Sequence, residues 1–182
     1  MGRVSVVSLT LNKLPVTRRC FMSLLNSDEP EWEFVIVDNG STDGTREWLH
    51  EFVALASAKG VSVKLVFNDS NVGCSTARNQ GVEASSGEYV VFVDNDIALR
   101  SRGWLGQMID VLDASADGGM VGPKLVYPFG QHRIQCAGAA VTLSFRRPHE
   151  TKAQSCGVRI GTYESDGEGT SDSGPGQVPR DA

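Results

Sequence analysis

The sequence predicts an α/β fold, a mostly parallel sheet with helices on both faces. Three observations predict it. Short β-branched, apolar runs alternate with segments of helical periodicity along the first hundred residues. The runs are apolar at successive positions, as strands buried on both faces are. Three of them end in polar clusters, Thr10-Leu11-Asn12, Asp38-Asn39-Gly40 and Asp94-Asn95-Asp96, where an open α/β sheet presents ligand-binding groups.

The elements follow in order. VSVVSL at 4–9 is a buried strand bounded by polar sequence. Residues 15–26 form a helix: Pro15 suits its first turn, and Val16, Cys20 and Leu24 fall on one face. FVIV at 34–37 is the second strand. Ser41, Thr42 and Asp43 then offer N-cap oxygens to a helix with Trp48, Phe52, Leu55 and Ala56 on one side. Residues 61–67 form the third strand and 73–84 a third helix. YVVFV at 89–93 is the most apolar strand, and 104–112 is a fourth helix. Extended pieces are expected at 120–122 and 125–127, and one more strand over 137–145. The chain shows no internal repeat.

Composition bounds the rest. The 182 residues are 40% hydrophobic and 21% charged, with a net charge of −5, which excludes a wholly disordered chain. The charge is uneven. Residues 164–182 carry five acids and one base, while the first 163 carry 17 acids and 16 bases. No basic stripe marks a nucleic-acid groove. No apolar run approaches the ~18 residues that cross a bilayer, and no signal-peptide cleavage pattern follows the N-terminus, so the expected compartment is the cytoplasm. Cys20, Cys74, Cys136 and Cys156 lack metal-knuckle spacing and read as reduced thiols. Cys74 sits where a helix N-terminus would favour its thiolate. Residues 153–182 turn into Gly, Ser and acidic sequence and are expected to be a disordered tail behind a 1–152 domain.

The polar clusters carry the chemistry, and each admits two readings. Two carboxylates two residues apart, Asp94 and Asp96, suit a hard divalent cation completed by phosphate and water, or else cap a strand end. Asp38 can accept hydrogen bonds from a base or ribose, or serve the helix that follows it. With three other caps available, it is spare. Gly40 and Gly44 permit tight backbone and close ligand approach. The helix start at Gly73 can face an anion, with Arg78 one turn in to reach a phosphate, or to pair with Glu83. His50, His132 and His149 have no catalytic spacing and read as surface histidines. Trp48 reads as packing, and Trp104 fits either packing or a ligand.

Taken together, VSVVSLTLN, IVDNGSTDGT, NVGCSTARNQG and GEYVVFVDND resemble the blocks of the family 2 glycosyltransferases in order and spacing. MVGPKLVYPFGQHRIQCAGAAV and RPHE resemble rhamnosyltransferase-like members, so the likeness runs over about residues 3–152. It implies the GT-A fold, Rossmann-like and incomplete at the C-terminus. It also implies inverting transfer from a nucleoside-diphosphate sugar to a hydroxyl of a glycan or lipid-linked acceptor, with Mg²⁺ or Mn²⁺, as in polysaccharide biosynthesis. Thr10 and Asn12 would border the nucleotide. Asp38 would bind the base, Arg78 would lie beside the nucleotide, and Asp94 would hold the ribose. Asp94 and Asp96 occupy the DxD position for the metal.

Two departures stand out. Leu11 replaces an aromatic that would stack on the base, and no equivalent of the family's later acidic motif supplies a catalytic base. The chain is therefore expected to be a truncated N-terminal part, with peripheral membrane association implied by lipid-linked acceptors. The competing expectations are a non-catalytic nucleotide-sugar-binding remnant and a haloacid-dehalogenase-type phosphotransferase. The latter also ends a strand in DxD, and it would carry a covalent aspartyl-phosphate at Asp94. No GxGxxG follows the first strand, which disfavours a dinucleotide oxidoreductase.

Overall fold

A computed structural model describes residues 4–27, 31–99, 102–116, 118–127, 129, 134–136, 139–141 and 158–160. The chain divides into two compact units, Met1–Ala114 and Ser115–Ala182.

In the first unit, strands β1 (Val4–Thr10), β2 (Trp32–Asp38), β3 (Ser62–Phe67) and β4 (Tyr89–Asp94) alternate with helices α1 (Leu14–Leu25), α2 (Thr45–Ser57), α3 (Cys74–Ala84) and α4 (Trp104–Asp113). The strands form one parallel sheet in the order β3-β2-β1-β4. The first three strands step one way across the sheet, and β4 then returns to the far side of β1. Right-handed crossovers put the helix of the reversed step on the opposite face. This is what the core shows. Phe21 of α1, Trp48 and Phe52 of α2, and Leu105 and Ile109 of α4 pack in one cluster with Val4, Val6, Phe34 and Ile36. The other face, with Val7 and Val37, meets α3. There Gly81 lies so close to Val7 that a Cβ would clash with its side chain.

The sheet order reverses between β1 and β4, so their carboxyl ends flank a crevice of the kind that holds ligands. The register sets the rim: Thr10 lies opposite Asp38, and Leu9 opposite Asp94. β4 is an edge strand among the described residues, and Val90 and Phe92 are exposed.

Seven of the eight principal elements appear within two residues of their predicted bounds; α2, for which a face and no bounds were predicted, buries Trp48, Phe52 and Ala56 of that face and leaves Leu55 exposed. The caps of α2 differ from expectation. Its N-cap is Gly44, in a left-handed conformation with no side-chain cap bond. Ser41 and Thr42 instead bind Asn12 in the turn after β1: Asn12 N donates to Ser41 Oγ at 2.8 Å, and Thr42 N donates to Asn12 Oδ1 at 2.8 Å. Asp43 accepts from Thr45 Oγ1, Thr45 N and Leu14 N, joining the starts of α1 and α2. The Thr45 hydroxyl bond is the main force holding the Asp43 carboxyl below its usual pKa.

The second unit contains two antiparallel pairs. β5 (Leu125–Val126) pairs with β6 (Ile134–Cys136), and β7 (Ala139–Val141) pairs with β8 (Val158–Ile160). The expected extended piece at 120–122 is not a strand. The strand expected over 137–145 is described at Ala139–Val141. β8 lies within the segment 153–182 read from sequence as a tail, and the remainder of that segment lies outside the described residues, as do His132 and His149.

Candidate functional site at the carboxyl rim of the sheet

Each predicted site residue sits on the rim, but they form two groups rather than one. The first group joins β1, β2 and β3. Asp38 ends β2 and is fully buried. Its Oδ2 accepts from Arg46 Nε at 2.7 Å and from Ser41 N at 3.0 Å. Its Oδ1 is buried and makes no hydrogen bond. Asp38 is thus half spare: one oxygen serves the loop and α2, and the other remains an unpaired acceptor. Asn12 reaches the same loop through Ser41. Asn12 and Lys13 both have left-handed backbone, φ 57° and 58°, a conformation Asn tolerates and Lys rarely adopts. Leu11 stands exposed beside them.

Thr10 is the last residue of β1. It is buried, and its hydroxyl shares a 3.1 Å hydrogen bond with Thr17 of α1. Asn95 Nδ2 donates to the same Thr17 oxygen at 2.8 Å. The middle residue of Asp94-Asn95-Asp96 is therefore tied inward, and the two carboxylates flanking it are exposed.

The second group joins α3 and β4. Arg78 Nη2 lies 3.1 Å from Asp94 Oδ1, so its ion-pair partner is Asp94 and not Glu83. The Arg78 guanidinium also lies 5.9 Å from the Phe92 ring centre. Asp94 and Asp96 further act on Cys20, whose thiol donates to Asp94 O at 3.4 Å. Burial foremost, with some help from these carboxylates, pushes that thiol up to about 11. Cys20 is thus a protonated, structural thiol, while Cys74 is exposed as the first residue of α3. Among the described residues no three His, Cys, Asp or Glu side chains gather as a metal centre. A cation here would draw on Asp94 and Asp96 alone from that set, and would need other oxygens from outside it.

A polar lattice fixes the loop after β3. Asn68 and Gln80 exchange paired amide bonds at 2.9 Å. Asn68 Nδ2 also donates to Asn39 Oδ1, Asn39 Nδ2 donates to Asn71 Oδ1, and Val72 N and Gly73 N donate to Asn39 and Asn71. Gly40, at φ +93°, passes so near this loop that a Cβ would lie 2.9 Å from the Ser70 backbone. Its close approach is thus to another loop of this chain.

Sequence reasoning missed Arg46 and Gln80, and it placed Asn39 and Asn68 in polar clusters on the rim without their amide partners. Arg46 had one signal: it follows Asp38 by eight residues, in the first turn of the helix that Asp38 precedes. The pairing of the amides had no signal, because their partners are 12 to 33 residues apart. Trp48 and Trp104 are both buried in the apolar cluster, which makes Trp104 a packing residue. His50 is exposed and stacks near Phe67. No helix among the described residues is long and apolar enough to cross a membrane.

Comparison with known proteins agrees with this architecture. A putative teichuronic acid biosynthesis glycosyltransferase of Bacillus subtilis is 34% identical over 93 residues, 51% of this chain and 35% of that protein. Glycosyltransferase AglE of Haloferax volcanii is 30% identical over 132 residues, 70% of this chain and 41% of that protein. A mannosyltransferase of Pyrobaculum calidifontis, solved with GDP-Man and Mn²⁺, superposes with a TM-score of 0.57 at 27% identity, covering 63% of this chain and 33% of that one. The first 349 residues of Staphylococcus aureus TarS, solved with UDP, superpose at 0.53 and 25% identity over 67% of this chain and 38% of that one. The chain thus spans well under half the length of these relatives. The family described as "Glycosyl transferase family 2" matches residues 5–163, and with the parallel sheet of GT-A glycosyltransferases beneath that match, the chain belongs to glycosyltransferase family 2.

Proposed function

We propose that this chain binds the donor in a metal-dependent, inverting glycosyltransferase that moves a sugar from a nucleoside diphosphate to an acceptor hydroxyl. The observation that carries the reading is the buried, unpaired Oδ1 of Asp38 on the same rim as exposed Asp94 and Asp96. An orphaned buried carboxylate oxygen costs about 1–3 kcal/mol or more, and a base N–H would recover it. Asn12 and Thr10 shape the adjoining turn. Arg78 would turn its charge to the diphosphate.

Two exposed carboxylates fit a hard cation such as Mg²⁺ or Mn²⁺, whose remaining positions diphosphate oxygens and water fill. When bound, the ion would offset the charge of the departing diphosphate. GDP-Man with Mn²⁺ in one structural neighbour and UDP in another support the ligand class. The names of relatives that act in teichuronic acid and colanic acid biosynthesis support a glycan or lipid-linked acceptor. A lipid-linked acceptor would bring the protein to the cytoplasmic face of a membrane by peripheral contact.

Calorimetry of the 182-residue chain with nucleoside diphosphates tests the reading. Binding that strengthens with Mn²⁺, and that Asp38→Ala weakens by about tenfold or more even without metal, is expected. Equal affinity in wild type and Asp38→Ala would reduce Asp38 to a structural role. A glycosyl-transfer and donor-hydrolysis assay then separates an active enzyme from a binding-only remnant.

A further inference from the structure

We infer that Thr17 of α1 is a positioning residue for Asp94 and Asp96: its hydroxyl holds the residue between them, so that both carboxylates stay on the exposed side of the turn. This rests on the donor-site reading above, in which the two carboxylates take a divalent cation.

The β1–β4 ladder ends at the pair Leu9 and Asp94. Beyond it, no strand pairing sets which way the side chains of the turn point. Helix α1 takes over that task. Thr17, Cys20 and Ser23 are spaced by three and share one face of the helix, and each bonds the segment 94–99. Asn95 Nδ2 donates to Thr17 Oγ1 at 2.8 Å, Cys20 Sγ donates to Asp94 O at 3.4 Å, and Leu99 N donates to Ser23 Oγ at 3.5 Å. Cys20 and Ser23 bond backbone atoms and would hold any sequence there. Thr17 bonds a side chain, the one that stands between the two carboxylates.

Side chains alternate along this segment. Asn95, Ile97 and Leu99 are partly buried, and Asp94, Asp96 and Ala98 are exposed. Ile97 and Leu99 pack against the apolar cluster. A turn slipped by one residue would drive the carboxylates toward that cluster and put Asn95 outside. Burial of Ile97 and Leu99 opposes the slip from the far end. At the near end, Asn95 stays inward because an acceptor meets its amide there. Thr17 is fully buried, and its oxygen also shares the 3.1 Å bond with Thr10 Oγ1, so the hydroxyl is fixed from two sides. Without that acceptor, the Asn95 amide would turn to water, and the carboxylates beside it would turn more freely. Two carboxylates that must be ordered on binding hold a cation more weakly than two already in place.

The experiment is titration of the full 182-residue chain with Mn²⁺ alone, followed by electron paramagnetic resonance, with melting temperatures recorded beside it. Thr17→Val removes the hydroxyl and keeps the shape. It should weaken Mn²⁺ binding by about tenfold, the low end of what an outer support is worth to a metal site. Thr17→Ser keeps the hydroxyl and should stay within about threefold of wild type, even where its lost methyl lowers the melting temperature. Asn95→Ala leaves α1 whole, should reproduce the Thr17→Val loss, and serves if Thr17→Val does not fold. The double variant should lose no more than either single one, because both remove the same contact. Unchanged Mn²⁺ affinity in Thr17→Val or Asn95→Ala, or equal losses in Thr17→Val and Thr17→Ser, overturns the inference. Asp96→Ala then separates it from the donor-site reading: if that variant loses the Mn²⁺ binding of wild type, the reading stands and only the role of Thr17 falls. Wild type that binds no Mn²⁺, or that binds it equally well as Asp96→Ala, overturns both.

Discussion

Arg78 of α3 pairs with Asp94 at the end of β4, guanidinium nitrogen to carboxylate oxygen at 3.1 Å, with the two side chains 41% and 73% exposed. An ion pair so open to water is worth about 0–1 kcal/mol, so it can be exchanged for a better one. A divalent cation and Arg78 both need the Asp94 carboxylate. A diphosphate arriving with the cation would give Arg78 a new anionic partner in return.

That exchange predicts opposite effects on two ligands. Arg78→Gln should bind Mn²⁺ alone more tightly, by about two- to fivefold, since the competing charge is gone. It should bind nucleoside diphosphate more weakly, by about tenfold, having lost a phosphate contact. Melting should be nearly unchanged. Titration of Mn²⁺ by electron paramagnetic resonance, with calorimetry for the nucleotide, reads both. Weaker Mn²⁺ binding in Arg78→Gln would show that Arg78 organises Asp94 for the metal instead of competing with it.

Asp96 offers a cleaner test of the metal assignment, because its side chain is exposed and stands free of the Arg78 pair. Asp96→Ala should abolish the strengthening of nucleotide binding by Mn²⁺ and leave metal-free affinity and melting as in wild type. Stripping the wild-type protein with a chelator should reproduce the variant's affinity. Nucleotide binding that responds to Mn²⁺ equally in both proteins would sink the assignment.

Gly40 links the loops after β2 and β3. Its φ of +93° disfavours any side chain, and a Cβ would stand 2.9 Å from Ser70 backbone atoms. Gly40→Ala should therefore destabilise the fold by about 1–3 kcal/mol. It should also weaken nucleotide binding, as Asn39 and Asn71 on either side of the contact are hydrogen-bonded to each other. Denaturant melts and calorimetry check the two effects. An unchanged midpoint would mean that the 69–73 loop gives way freely.

The strands and helices of the first unit were legible because each is set by local pattern: apolar runs for β1 to β4, and periodicity with Pro15 or Gly73 at the start for α1 and α3. The rim was legible because strand ends are marked in the chain by their first polar residues. What was not legible depends on contacts distant in sequence. Ser41 and Thr42 have the chemistry of helix caps, but Asn12, about 30 residues earlier, binds the Ser41 hydroxyl and the Thr42 backbone N–H. Arg78 has Glu83 on its own helix, yet pairs with Asp94, which the parallel register brings opposite Leu9. Thr10 is polar at a strand end, and the alternation of side chains turns it toward Thr17.

Glu33 is the least expected of these residues, an acid in the interior of β2 at the amino pole of the sheet, away from the rim. It is fully buried. Burial by itself would raise its pKa. Hydrogen bonds from Ser5 Oγ at 2.7 Å and from Ser86 N and Oγ at 2.6 and 2.8 Å, with Lys64 Nζ 3.1 Å from Oε2, outweigh burial and bring it to about 2 from 4.5. A carboxylate more acidic in the folded chain stabilises that chain above its unfolded value and loses the contribution as pH falls toward the folded one. The contribution should be full at pH 6 and decline between about pH 4.5 and pH 2, by on the order of 3 kcal/mol. Glu33→Gln should be less stable than wild type at pH 6, because an amide oxygen that accepts from the three Oε1 donors leaves the amide NH₂ facing Lys64 Nζ. The gap should narrow as acid protonates the wild-type group. Urea unfolding midpoints at pH 6, 4 and 3 measure that difference; a gap constant across these values would mean that folding leaves the Glu33 carboxyl unshifted.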